Sequence, residues 1–322
     1  MLTVFSSDID VYPGSQEERL PGFSAQFPHI TSRALLPDDP ARSCIWHWHK
    51  SLELFQVESG ALRYHTPGGQ RLFRAGSGGM VNSNVLHRTQ ALEPGTVMRI
   101  HLFEPELLSG IPGGLLEQKY ILPLVQQPGL ELICFSPGDS AQRETLALLQ
   151  QSFALDEDAF GYELRLQSLL AEIWLHILNQ LPPLQPALPC RAAASSEKVK
   201  QMMLYLNTHL AEKLSVADIA AAGYCSEREC YRTFQECLHT TPAEYLQNLR
   251  LQNACRLLIR TGLPVTDIAQ QCGLGSSSYF GAQFRRAFGC TPTAYREKWQ
   301  DVDTARHKSD STGSLSCGTI NP

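Results

Sequence analysis

No stretch of this sequence stays apolar for the ~20 residues that a membrane-crossing helix needs, which excludes an integral helical membrane protein. The opening residues, MLTVFSSDID, lack the basic cluster and apolar core of a secretory signal. The ten cysteines (Cys44, Cys134, Cys190, Cys225, Cys230, Cys237, Cys255, Cys272, Cys290 and Cys317) show neither CxxC pairs nor zinc-finger spacing. Several sit inside apolar helical patterns, where a reduced thiol acts as a small hydrophobe. Cytoplasmic localisation and no membrane partner are the expectations. Positive charge is scarce too, with a net charge of -5 over 322 residues. It is unevenly spread: residues 1–196 carry 13 Lys and Arg against 20 Asp and Glu, whereas 197–300 carry 12 against 9. A mildly basic segment attached to an acidic one fits a nucleic-acid-binding module joined to a partner domain.

What is present divides the chain by its periodicities. From residue 30 to about 135, short apolar runs (LELFQVE, ALRYHT, QRLFRAG, TVMRIHLF) are broken by GGQ, GSGG and EPG, the pattern of a small antiparallel barrel. Between 140 and 181, Leu146, Leu149, Phe153, Leu164, Leu166, Leu169, Leu170, Ile173, Ile177 and Leu178 recur at helical spacing around the interruption DEDAFG, a helix pair. Proline-rich residues 182–196 read as a linker, 197–300 as an all-helical module, and the polar residues 301–322 as a disordered tail. The fold expected is multidomain: an all-β barrel over 1–139, a helical segment over 140–181, and an all-α C-terminal domain.

That domain contains an internal repeat. Asp218-Ile219-Ala220 recurs as Asp267-Ile268-Ala269 at an offset of 49, while Phe234/Phe284, Pro242/Pro292 and Tyr245/Tyr295 recur at 50. A one-residue change falls in a turn, where insertions are tolerated. Each copy reads as a short helix (about 216–222 and 265–271), a turn containing Gly223 or Gly273, and a second helix capped by Ser226 or Ser276. This is a pair of helix-turn-helix units. On the first second-helix, Cys230 and Phe234 face inward, and Arg228, Tyr231, Arg232 and Gln235 share the other side, donor-rich chemistry suited to base edges in a major groove. The second copy buries Phe280, Phe284 and Phe288 and exposes Ser277, Ser278, Ala282 and Arg285, small side chains suited to phosphate and shape readout. Residues 242–260 form one joining helix; its 18 residues from Ala243 span about 27 Å, near the ~34 Å between successive major grooves.

Residues 250–296 resemble the signature region of the AraC family of bacterial transcription regulators, through Ile268-Ala269, Gly273, Ser278-Tyr279-Phe280, Phe284-Arg285, Phe288-Gly289, Thr291-Pro292 and Tyr295-Arg296. Leu274 stands where the family usually has Phe, and His239 replaces the glycine that ends the first reading helix, a residue that resists a left-handed cap. The resemblance implies a sequence-specific regulator of double-stranded DNA, not an enzyme. Arg228, Tyr231, Arg232, Ser277, Ser278 and Ala282 would face bases; Arg285 and Arg286 would touch phosphates, or Arg285 would hold a helix end. It further implies a small-molecule effector in the barrel, a homodimer formed through the 140–181 helices, and RNA polymerase as a further partner.

In the barrel, His47-Trp48-His49, Glu53 and Gly60 match the spacing of the first cupin motif, HxH, three residues, E, six residues, G, and His87 lies where a third cupin histidine would come. Alternation in a strand would put His47 and His49 on one face. Two readings stand. Either His47, His49, Glu53 and His87 are effector contacts, with no cofactor and with Trp46, Trp48 and Tyr64 adding stacking surface for a sugar; or they hold a divalent metal. A metal would be the basis of an alternative function, a cupin dioxygenase or isomerase with an appended helical module.

Overall fold

The computed structural model describes residues 9–12, 16–24, 26–37, 44–127, 129–181 and 191–299. The expected tail at 301–322 lies outside them, as does most of the expected linker, 182–190. Where the linker re-enters view it is helical: α5 runs Arg191–Thr208, so the C-terminal helices begin before residue 197. The chain forms two compact units, 1–208 with 216–242, and 209–215 with 243–322.

In the first unit, strands β1 (His29–Leu35), β7 (Val97–Phe103), β2 (Leu52–Ser59), β5 (Gly78–Val81) and β8 (Leu132–Phe135) lie in that order in one sheet, and β4 (Gly69–Arg74), β3 (Ala61–Thr66) and β6 (Arg88–Ala91) form a second. The pairings are antiparallel. Of β2, Leu52–Phe55 and Val57 are buried without polar alternation, because the five-stranded sheet is covered on both faces. One face carries Phe55, Val57, Val81 and Met98 towards Leu62 and Tyr64 of the other sheet. The opposite face carries Leu52, Leu54 and Phe103 against α3 (Ser140–Phe153) and α4 (Tyr162–Gln180). The tight β2–β3 turn needs Gly60: its φ is +75°, and a Cβ there would fall 2.4 Å from Thr96 Oγ1.

The helix pair falls where its periodicity placed it. Leu166, Leu170, Ile173 and Ile177 are buried against the sheet. Of the two uses open to the apolar stripe containing Leu170, Ile173 and Ile177, these buried residues cover the barrel, while Leu164 and Leu175 of α4 remain exposed.

The helix-facing side of the sheet also buries an unforeseen polar chain. Ser152 Oγ donates to Leu149 O at 2.7 Å and so accepts from His101 Nε2 at 2.9 Å. That leaves His101 Nδ1 as an acceptor for His29 Nε2, also 2.9 Å away. Burial pushes His29 down to about 4 and His101 well below the ordinary histidine range. Both therefore stay neutral in the fold while their unfolded counterparts protonate below about 6.5. The unfolded chain binds more protons in that window, so stability is complete above about pH 6.5 and falls as pH drops towards 4. We predict a loss of about 1.4 kcal/mol per pH unit for each such histidine, to be read from urea melts between pH 7 and pH 5. A His29→Gln variant should show a shallower slope than the wild type; an identical slope would contradict the assignment.

Candidate sensor pocket and DNA-reading helices

The expected HxH segment is not a regular strand. Residues 44–49 bend at Trp46 and are tied by isolated bridges from His47 to His87 and from Trp48 to Glu17. His47 N donates to His87 O at 3.0 Å and His87 N to His47 O at 2.8 Å. This reciprocal pair sets the two side chains together, with ring centroids 4.2 Å apart. His49 joins them, its ring 5.0 Å from His87. All three imidazoles, and Glu53 on β2, are buried.

Glu53 is held from two sides. Tyr64 donates its hydroxyl to Oε1 at 2.7 Å, while Oε2 lies 3.3 Å from His49 Nε2 and 3.6 Å from His87 Nε2. Glu18, which sequence pattern gave no reason to suspect, comes in from the N-terminal segment, with Oε2 3.8 Å from His47 Nε2. Burial raises the Glu53 carboxyl, but the His49 and His87 imidazoles outweigh it and hold it below the usual carboxylate range. Burial and the neighbouring His47 push His87 down to about 4. The result is an ionised carboxylate enclosed by imidazoles, which draws in positive charge.

His47, Glu53, Tyr64 and His87 form the polar end of a cavity of about 130 Å³. Its walls are Ile30, Ala34 and Leu36 from β1 and the segment after it, and Met98, Ile100 and Leu102 from β7. The register pairs Ile30 with Leu102 and Ala34 with Met98, so these side chains share one sheet face. The stacking surface expected for a sugar is not assembled there. Tyr64 stacks on Phe55 at 4.8 Å, Trp46 lies under Arg88, and Trp48 lies under Lys200. Neither tryptophan lines the cavity among the described residues.

The two helix-turn-helix units belong to different compact units of the chain. In the first, α6 (Val216–Ala222) leads to α7 (Glu227–Leu238), and in the second, α9 (Val265–Gln271) leads to α10 (Ser277–Phe288). Ser226 and Ser276 cap the second helices, accepting from Glu229 N at 3.2 Å and Tyr279 N at 3.3 Å. The turns correspond differently than expected. Cys225 N donates to Ala220 O, and Leu274 N to Ala269 O. These bonds are 49 residues apart, so the counterpart of Gly273 (φ +64°) is Tyr224 (φ +49°), not Gly223. Gly275 is the inserted residue. Gly223 serves packing instead, since a Cβ there would fall 2.8 Å from Met202 Cγ. His239 does adopt the left-handed cap it was expected to resist, with φ 55° and ψ 33°, matching Gly289 at the end of α10.

On α7, Arg228, Tyr231 and Gln235 are exposed. Arg232 is half-buried, with its guanidinium 3.5 Å from Glu229 and 3.8 Å from Glu236. On α10, Ser277, Ser278, Ala282, Arg285 and Arg286 are exposed, and Phe280 and Phe284 are buried. The arginine that holds a helix end is Arg296, which donates to Leu258 O at 3.2 Å and Leu263 O at 2.6 Å.

Comparison with known proteins agrees with this architecture. Residues 29–173 match the model of the AraC-like ligand binding domain, and residues 219–298 match a helix-turn-helix domain model. The chain belongs to the AraC family. It is a DNA-binding transcription regulator with an N-terminal ligand-binding domain, and not an enzyme. Among its relatives, the HTH-type transcriptional regulator YdeC of Bacillus subtilis is 26% identical over 78% of this chain and 85% of its own length. The HTH-type transcriptional activator RhaS of an Enterobacter species is 38% identical, over 31% of this chain and 36% of that protein. A solved AraC-type regulator from Chromobacterium violaceum is 32% identical, covering 33% of this chain and 95% of that one, with a TM-score of 0.32. No helix among the described residues of this AraC-family chain is long and apolar enough to cross a membrane.

Proposed function

We propose that this regulator is a cytoplasmic homodimer whose occupancy of its operator is set by a small amphipathic molecule in the barrel cavity. The apolar walls contributed by β1 and β7, set against a polar lining that includes Glu18, Arg19, Glu53 and the histidines, favour a compact hydrocarbon or aromatic body with a polar head over a sugar. The observation that carries the reading is the contact of α5 with the segments that hold the pocket histidines. Lys200 Nζ donates to Asn84 O at 2.7 Å and lies 5.1 Å from the centre of the Trp48 ring. Trp48 sits between His47 and His49, and Asn84 N donates to His49 O at 2.8 Å. Two residues before Lys200, Lys198 reaches Glu229 of α7 at 2.6 Å, the same carboxylate that faces Arg232. A ligand that shifts the histidine segment therefore has a contiguous route to the first reading helix, provided it binds one arrangement better than the other.

In this reading Arg228, Tyr231 and Gln235 address base edges, Arg232 holds the helix surface through its two carboxylates, and Ser277, Ser278, Ala282, Arg285 and Arg286 track backbone and shape. The exposed α4 face around Leu164 and Leu175 joins two protomers, and RNA polymerase is a partner at the promoter.

Arg228→Ala should cost about 1–3 kcal/mol on the preferred operator and relax one base position in a selection experiment; equal loss on random DNA would reassign Arg228 to phosphate. Leu164→Glu should turn a sedimenting dimer into a monomer, and an unchanged dimer would place the interface elsewhere. A ligand recovered by thermal-shift screening should change operator affinity by about 5–150-fold. In Lys200→Met the same ligand should still bind while that factor falls towards one; an undiminished factor would remove Lys200 from the route.

A further inference from the structure

The three pocket histidines are alike in one respect that bears on what they can bind. His47 Nδ1 lies 3.0 Å from Ile45 O, His49 Nδ1 lies 2.9 Å from Ser51 O, and His87 Nδ1 lies 2.8 Å from Val85 O. A carbonyl oxygen only accepts, so each Nδ1 carries a proton, and the neutral form of each ring has its lone pair on Nε2. Each histidine bonds the carbonyl of a residue two positions away in its own segment, so three separate local contacts produce the same tautomer. Imidazoles oriented by a backbone carbonyl on one nitrogen are arranged to ligate with the other.

The remaining nitrogens converge. One ring nitrogen from each of His47, His49 and His87 lies within 4.8 Å of the other two, and all three residues are buried. His49 Nε2 and His87 Nε2 face the same oxygen, Glu53 Oε2, at 3.3 and 3.6 Å. Among the described side chains His87 Nε2 has no hydrogen-bond partner, although it is fully enclosed. A buried carboxylate oxygen within reach of two imidazole Nε2 atoms, one of them without a hydrogen-bond partner, is a place where a cation would satisfy all three at once.

We propose that His47, His49 and His87 bind one divalent first-row transition ion through their Nε2 atoms, with Glu53 Oε2 as the fourth donor and the cavity side left for a ligand atom. Three imidazoles and a carboxylate suit zinc, iron, cobalt or nickel, whereas a purely soft ion would call for thiolates. The thiol nearby, Cys44, lies 3.6 Å from His47 Nδ1, on the side of that ring turned away from the site. Tyr64 orients the carboxylate from its other oxygen. The effector of the proposed sensor would then be the ion itself or a small molecule whose polar head ligates it. The metal assignment concerns the same pocket but stands apart from the operator reading, because it is measured without DNA.

The test uses the full-length protein, stripped with a chelator, desalted and titrated with Zn²⁺ by calorimetry. One ion per chain is expected. Glu53→Gln should weaken binding about 10–100-fold, and His87→Gln more than that. His29→Gln, a change to a buried histidine outside the pocket, should still take up one ion. X-ray absorption of the zinc-loaded wild type should show a shell of nitrogen and oxygen at about 2.0–2.1 Å with imidazole scattering. This measurement holds even if a pocket variant fails to fold. Less than one ion per chain, equal affinity in Glu53→Gln and His87→Gln, or a sulfur shell at about 2.3 Å would overturn the proposal. A proton shared between one imidazole and Glu53, the competing way to satisfy the site, predicts the first of these.

Discussion

The backbone pairing of His47 with His87 is the contact on which the pocket depends. It joins an extended segment that has no strand of its own to the loop ahead of β6, across 40 residues of chain. Because the pair is reciprocal, the two side chains must lie together, and His49, two residues on, can reach the same space. The five-stranded sheet supplies the rest. Apolar on both faces, it leaves its inner surface so dry that Glu53 must find its partners locally, and Tyr64 and the imidazoles are those partners.

The same segment carries the pocket's connection to the DNA-reading part of the chain. Trp48 and Asn84 belong to the strips of backbone that hold the histidines, and both meet Lys200. Helix α5 is thus a wall of the first helix-turn-helix unit and a neighbour of the segments that hold the pocket histidines. Its buried Val199, Met202, Met203 and Leu206 make it rigid enough to move as a piece. The barrel and the first helix-turn-helix unit share this helix within one body, which is what the proposed coupling of pocket to α7 rests on.

Much of this was legible in the sequence, and for identifiable reasons. Val216–Ala222, Val265–Gln271 and the joining helix Pro242–Arg260 were bounded correctly because the repeat fixed them twice over, and because Ser226, Ser276 and the prolines punctuate strongly. The histidine cluster was legible through its match to the cupin motif. Hidden from it were contacts made across the chain by residues with no pattern: Glu18 beside His47, Lys200 on Trp48, and the His29–His101–Ser152 chain. The equivalence of Tyr224 with Gly273 was obscured because a nearby glycine, Gly223, offered the obvious match; only the hydrogen bonds from Cys225 and Leu274 show which residue turns the chain. The α4 stripe could not be assigned to barrel or dimer from periodicity, since both uses require the same apolar spacing.

A site-specific DNA-binding regulator is tested by footprinting the full-length protein across the DNA upstream of its own gene over a range of salt concentrations. A discrete protected site should persist against competitor DNA, with affinity falling linearly in log salt as phosphate contacts are lost. Protection without any preferred site, or none at low salt, would contradict it.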